Sequence, residues 1–158
     1  MKKEHQYQAT IKWTGNKGSG TSNYKEFERS HTISVAHKTD IFASSDPAFR
    51  GDKTKHNPED LLLASLSSCH MLWYLHLCAE GGVIVVDYID NVTGTMTEKT
   101  NGNGQFTEVI LNPIITLTNH SMIQKGKELH NKANKFCFIA NSVNFIVKHK
   151  PTFLVKTL

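Results

Sequence analysis

The side chains best suited to chemistry in this 158-residue chain are three cysteines, Cys69, Cys78 and Cys137. A sulfur attacks only as a thiolate, so what counts is whether a cation reaches it and whether a second sulfur can follow. Cys69 and Cys78 stand nine residues apart in one apolar run. On a helix that spacing puts them on opposite faces, ~13.5 Å apart along the axis. A disulfide needs Cα atoms within ~7 Å, so these two do not pair. Cys78 reads as a small core hydrophobe. Cys69 shares its helical face with Leu62, Ser65, Leu66, Leu72 and Trp73. Apolar surroundings disfavour a thiolate, which leaves two readings open: a core filler, or a thiol kept ionised by a nearby cation.

Only two arginines exist to serve as that cation, Arg29 and Arg50, and both precede the apolar run. A guanidinium stays charged when buried and bridges a thiolate and a carboxylate together. Glu59 or Asp60 is the candidate carboxylate, and the bland alternative is helix N-terminal charge worth ~0.3–1 kcal/mol. The histidines are less telling. His70 and His76 are six apart and face different ways, unlike a chelating i, i+4 pair. His76 lies two turns from Cys69, too far for a proton relay. His56, His120, His130 and His149 show no metal spacing. No metal or cofactor is expected.

These residues need elements to hold them. Tyr7, Ala9, Ile11 and Trp13 alternate with polar residues as in a half-buried strand, and Gly15 to Gly20 forms a turn. Tyr24, Phe27 and Thr32 to Val35 suggest further strands, and a loop through Ser44 to Asp52 follows. Asn57-Pro58-Glu59-Asp60 then supplies an N-cap, a proline at the first helical position and two first-turn carboxylates. The helix runs to Glu80 and stops at Gly81-Gly82. It is apolar nearly all round, so it is expected to be buried on most sides. A small domain hardly encloses ~33 Å of such a helix alone, which points to a dimer.

Two strand-like runs follow, Val83 to Thr97 and Phe106 to Thr118, joined by a turn at Thr100 to Gly104. Pro113 predicts an edge strand or a bulge in the second run. A helix over Met122 to Asn134, capped by Ser121, a helical turn from Cys137, and a return to strand over Phe145 to Lys156 complete the order. The predicted fold is a single α+β domain over residues 1–158.

Composition narrows the function classes. The net charge of +4 is spread along the chain, and Lys2-Lys3 is the only Lys/Arg pair in adjacent positions. A nucleic-acid partner calls for a basic stripe with interleaved aromatics, so none is expected. The longest apolar run, Leu61 to Ala79, is broken by Ser65, Ser67, Ser68, His70 and His76. It falls short of the ~18 uninterrupted apolar residues that suggest a membrane span. The opening residues are polar rather than a leader sequence. An odd number of cysteines does not describe a disulfide framework. A cytoplasmic protein without a membrane partner is the expectation.

The run from Asn57-Pro58-Glu59 to Ser68-Cys69-His70 resembles the core motif of the OsmC/Ohr family of organic hydroperoxide resistance proteins, with the cysteine ten residues after the glutamate. The Gly-rich turn after Trp13, Gly81-Gly82-Val83 at the end of the helix, and Cys137 ahead of the last strand extend the resemblance over most of the chain. It implies an intertwined homodimer, with antiparallel sheets wrapped around long central helices. It also implies peroxidase activity on organic hydroperoxides, regenerated by an external dithiol. Carried over, Cys69 is the peroxidatic thiol, Cys137 the resolving thiol, and Glu59 the carboxylate that holds an arginine near the sulfur. The family's arginine commonly lies between the first two strands, where this chain has Lys17. Arg29 is the preferred replacement and Arg50 the runner-up. On a continuous helix Glu59 and Cys69 stand ~15 Å apart along the axis, which predicts either a site shared across the dimer or an arginine that reaches only one of the two. The competing reading is a module that binds an apolar small molecule in the same pocket without chemistry, but it gives no reason for Cys137.

Overall fold

The structure, a computed structural model, describes residues 2–156. The chain divides into two compact units, Met1–Leu61 and Leu62–Leu158. In the first, strands β1 (Thr10–Trp13), β2 (His31–Ser34) and β3 (Ile41–Ala43) form an antiparallel sheet in that order. The glycine turn after β1 is organised by Asn16, whose Oδ1 accepts the amides of Gly18 and Gly20 at 2.8 and 3.0 Å. Tyr24 and Phe27 do not form the expected strand. Their rings meet edge to face at 6.3 Å, and Phe27 meets Trp13 the same way at 5.8 Å, so the segment folds into turns around an aromatic cluster. Ile41–Ala43, just ahead of the expected loop, form strand β3.

Helix α1 (Pro58–Gly81) opens in the last residues of this unit. Asn57 Oδ1 accepts the Asp60 amide at 2.7 Å and Asp60 Oδ2 accepts the Asn57 amide at 3.2 Å, a reciprocal cap that satisfies two donors the helix cannot.

The second unit holds the rest of α1, strands β4 (Val85–Asp90), β5 (Thr93–Glu98), β6 (Gly104–Leu111) and β7 (Pro113–Leu117), helix α2 (Ile123–Phe136), and strands β8 (Ile146–His149) and β9 (Thr152–Val155). The expected hairpin is present, but both its arms break midway, so one hairpin feeds two sheets, β4-β7-β9 and β5-β6-β8. Asp90 sits at the break, where its carboxylate accepts the Asn112 amide at 2.7 Å and the Ser67 hydroxyl. Pro113 lies on no edge: β7 is the middle strand of its sheet, and the proline is its first residue. There its missing N–H falls at the break rather than inside the ladder. β8 and β9 run parallel to β6 and β7, which corrects the expectation of wholly antiparallel sheets. The crossover through α2 is long enough to return the chain in the same direction. Asn119, not Ser121, caps the turn that leads into α2.

α1 is long and apolar enough to cross a membrane by length and composition. Within the chain it behaves as a core helix along one stripe only, where Leu66, His70, Tyr74, Leu77 and Cys78 are buried. Two clusters of the second unit take up that stripe. Tyr74, Leu77 and Cys78 pack with Ile115, Leu117, Leu129 and Ala133, and Leu66 packs with Val109 and Leu111. Each fully buried Leu, Ile or Val contributes roughly 1.5–3 kcal/mol. Leu72, on the opposite face, is 63% exposed, so the expected burial on most sides is not met by one chain.

Candidate active site: two neighbouring thiols on a helix pair

Cys69 borders the buried stripe of α1 and is half-buried. Cys137 follows α2, whose inward face is Gly126, Leu129, His130 and Ala133. The helix ends because Cys137 turns to an extended conformation, with φ −66° and ψ 108°, while its own N–H still bonds to the Ala133 carbonyl. The Ala140 amide then donates to Cys137 Sγ at 3.4 Å, and the Asn141 amide to the Cys137 carbonyl at 3.0 Å. This corner leaves Cys137 fully buried and places its thiol beside the Cys69 side chain. Burial first, and then the neighbouring Cys69 thiol, push the Cys137 thiol up to about 11, while the Ala140 amide pulls the other way. At neutral pH Cys137 is therefore a proton-bearing partner for Cys69.

The surroundings of Cys69 are aromatic. The Trp73 ring lies 5.2 Å from Phe136 and 5.7 Å from Phe138. Leu72, Trp73 and His76 line a pocket of about 240 Å³. Positions 69, 72, 73 and 76 share one helical face, so the pocket opens on the side of α1 that carries Cys69.

The other expected site residues belong to the first unit. Glu59 lies in the first turn of α1, and its Oε2 is buried without a hydrogen-bond partner. The Arg29 guanidinium donates to the carbonyls of Phe27 and, at 2.7 Å, Tyr24, and lies over both their rings at 4.1 and 4.4 Å. Arg29 and Arg50 line one polar pocket with Glu28, Ser30, Ser44 and Asp52. Lys17 pairs with Glu28 at 3.0 Å, both side chains more than half exposed.

Sequence spacing missed a histidine cluster. His70 Nε2 and His130 Nδ1 are 2.9 Å apart, with ring planes inclined by 8°. His149 of β8 lies 5.5 Å from His70 and 5.7 Å from His130, and Tyr74 stacks on His130 at 3.8 Å. Burial pushes His70 down to about 4 and His130 to about 3, and the neighbouring imidazoles add to both shifts. One neutral imidazole therefore donates its N–H to the bare nitrogen of the other. Among the described residues no group of three or more His, Cys, Asp or Glu side chains is placed to hold a metal ion. The available signal was helical phase rather than metal spacing. His70 sits on the stripe of Leu66 and Tyr74, His130 on that of Leu129 and Ala133, and a buried imidazole must find a partner.

A chain with this mixed fold, one thiol midway along α1 and another just past the end of α2, matches the family model described as OsmC-like protein over residues 51–151. It belongs to that family. An OsmC-like protein of unknown function from Vibrio cholerae is 28% identical, with a TM-score of 0.84 over 94% of this chain and 99% of the other. An organic hydroperoxide resistance protein from Elizabethkingia anophelis shares the fold at 18% identity and a TM-score of 0.69, over 99% of this chain and 100% of that one. Another from Legionella pneumophila does so at 16% identity and a TM-score of 0.67, over 96% of this chain and 100% of its own. No curated protein matches the chain.

Proposed function

We propose that the protein is a thiol-dependent peroxidase that reduces organic hydroperoxides through Cys69 and Cys137. The observation that carries this reading is that the two thiols, 68 positions apart in sequence, are neighbours beside an apolar aromatic pocket. In this reading the Cys69 thiolate attacks one peroxide oxygen and breaks the O–O bond. Cys69 becomes a sulfenic acid, and the alkoxide leaves as an alcohol after taking up a proton. The Cys137 sulfur then displaces water from the sulfenic acid and forms a disulfide. An external dithiol reduces that disulfide to two thiols and is itself oxidised. The Leu72–Trp73 face suits an alkyl or aryl tail better than hydrogen peroxide.

In the same reading Glu59 and Arg29 are the carboxylate and guanidinium that favour the thiolate. The partnerless buried Glu59 Oε2 supports a requirement for a cation there. Arg29 keeps N–H donors for that part beyond the two it gives to the Tyr24 and Phe27 carbonyls. The exposed apolar face of α1 supports a homodimer, with the site shared between protomers. A cytoplasmic location without nucleic-acid or membrane partners belongs to this reading too.

Free-thiol titration before and after one equivalent of cumene hydroperoxide tests it. Loss of two thiols per chain, mapped by mass spectrometry to Cys69 and Cys137 and abolished by Cys69→Ser, is the expected result. Retention of all thiols, with the hydroperoxide bound but unreduced, would instead favour a non-catalytic binding module.

A further inference from the structure

α1 and α2 run antiparallel, and their contacts fall at three levels. At one end Cys69 meets Cys137 and Trp73 meets Phe136. Between the ends Tyr74 stacks on His130, and His70, the residue after Cys69, reaches along the helices to the same imidazole. At the far end Gly81 lies under Lys125 and Leu129. Twelve residues separate Cys69 from Gly81, and twelve separate Lys125 from Cys137. Each span is ~18 Å, so the two end contacts are in step with each other, and the long His70 and His130 side chains reach across a stagger between them.

Contacts at the two ends do not fix that register by themselves. Apolar burial is non-directional, and a lysine stem is flexible. Among the described residues, the His70–His130 bond is the one side-chain hydrogen bond that joins α1 to α2. It is directional and fully buried, so sliding α2 would orphan two imidazole nitrogens in the core. A slide of one turn, ~5.4 Å, would also carry Cys137 out of reach of Cys69, since a disulfide forms at about 2.05 Å.

We propose that His70 and His130 are positioning residues that hold Cys137 against Cys69, so that the two sulfurs can join. The proposal rests on reading those cysteines as partners, but not on the oxidant that joins them. In glutathione disulfide the pair closes without any peroxide: two thiols are oxidised to one disulfide as one glutathione disulfide is reduced to two glutathiones.

The test is the effective concentration of the pair in glutathione redox buffers, with the Cys69–Cys137 disulfide quantified by mass spectrometry. His130→Leu should lower it about tenfold, whereas His130→Asn, which keeps a polar atom where Nδ1 stands, should stay within about threefold of wild type. A loss under about threefold in His130→Leu overturns the proposal, as does an equal loss in His130→Asn, or a wild-type chain that forms no such disulfide. If near-ultraviolet circular dichroism shows that His130→Leu does not fold, His130→Gln replaces it under the same thresholds, because its amide extends past the Nδ1 position. Should the glutathione effect appear while hydroperoxide consumes no wild-type thiol, the peroxidase reading fails and the positioning role stands.

Discussion

The Trp73 indole packs on the ring of Phe136, centroids 5.2 Å apart and planes inclined by 30°, at the point where α2 gives way to Cys137. One aromatic contact thus borders both the mouth of the pocket and the corner that places the buried thiol. Trp73→Ala is expected to slow reduction of cumene hydroperoxide about tenfold or more while changing the hydrogen peroxide rate far less, because it removes apolar surface that only the organic substrate uses. The half-buried indole also packs against the core, so a stability loss of about 1–3 kcal/mol should accompany it. Stopped-flow rates with both peroxides, set beside a urea melt, separate the two effects. Equal slowing with both would refute a substrate-contacting role for Trp73.

The buried imidazoles make stability depend on pH in a stated direction. Both are held below the ordinary value of 6.5, His70 at about 4 and His130 at about 3. Above pH 6.5 folded and unfolded chains alike keep them neutral, and they cost nothing. As pH falls from 6.5 toward 4, the unfolded chain takes up protons that the folded chain refuses, so stability declines across that window. Each imidazole that stays neutral while its unfolded counterpart is protonated costs on the order of 3 kcal/mol across the window. Urea midpoints at about pH 7 and about pH 4.5 measure it. A His70→Leu, His130→Leu double variant should lose that part of the pH dependence, and an unchanged pH slope would contradict the assignment.

How far the sequence revealed the molecule depends on which kind of signal each element left. α1 was legible because its cap, Asn57 to Asp60, and its stop, Gly81-Gly82, are local chemistry, and the structure places them within one residue of expectation. The hairpin turn was legible for the same reason. Its division into two sheets was not, because the break rests on Asp90 accepting from Asn112, 22 residues away, and from Ser67 on another element. The proline pointed to an edge or a bulge, and the long-range pairing of β7 with both β4 and β9 ruled out the edge. Cys69 and Cys137 were named from a resemblance, and no local pattern predicts that their sulfurs meet. The histidine cluster joins three elements, so spacing along the chain carried no trace of it.

The three cysteines should differ in reactivity by accessibility. Cys69 is half-buried, whereas Cys78 and Cys137 are fully buried, and burial raises the pKa of both. Under native conditions iodoacetamide should modify Cys69 about tenfold faster than either of the others, and all three should react once the chain is unfolded in urea. Timed alkylation with peptide mass mapping reads this directly. Native labelling of Cys78 at a rate comparable to Cys69 would show that the core around Tyr74 and Leu77 is looser than its packing implies.

Gly126 gives the sharpest packing prediction. It lies on the inward face of α2, and a Cβ added there would stand 2.9 Å from Phe153 and 3.2 Å from Tyr74 Oη. Alanine is the better helix former by up to ~1 kcal/mol, so propensity alone predicts that Gly126→Ala stabilises. The contact with Phe153 is closer than real Cβ atoms tolerate, and that ring is hemmed in by His130, 6.0 Å away, and by the core around Tyr74. Overpacking of this kind costs about 1–3 kcal/mol and outweighs the propensity gain. Gly126→Ala should therefore lower stability by about 1–2 kcal/mol and push α2 away from Tyr74, with a matching fall in the Cys69–Cys137 effective concentration. A thermal melt and the glutathione titration check the two parts. A Gly126→Ala chain at least as stable as wild type would mean that the close approach of α2 to β9 and α1 is not enforced.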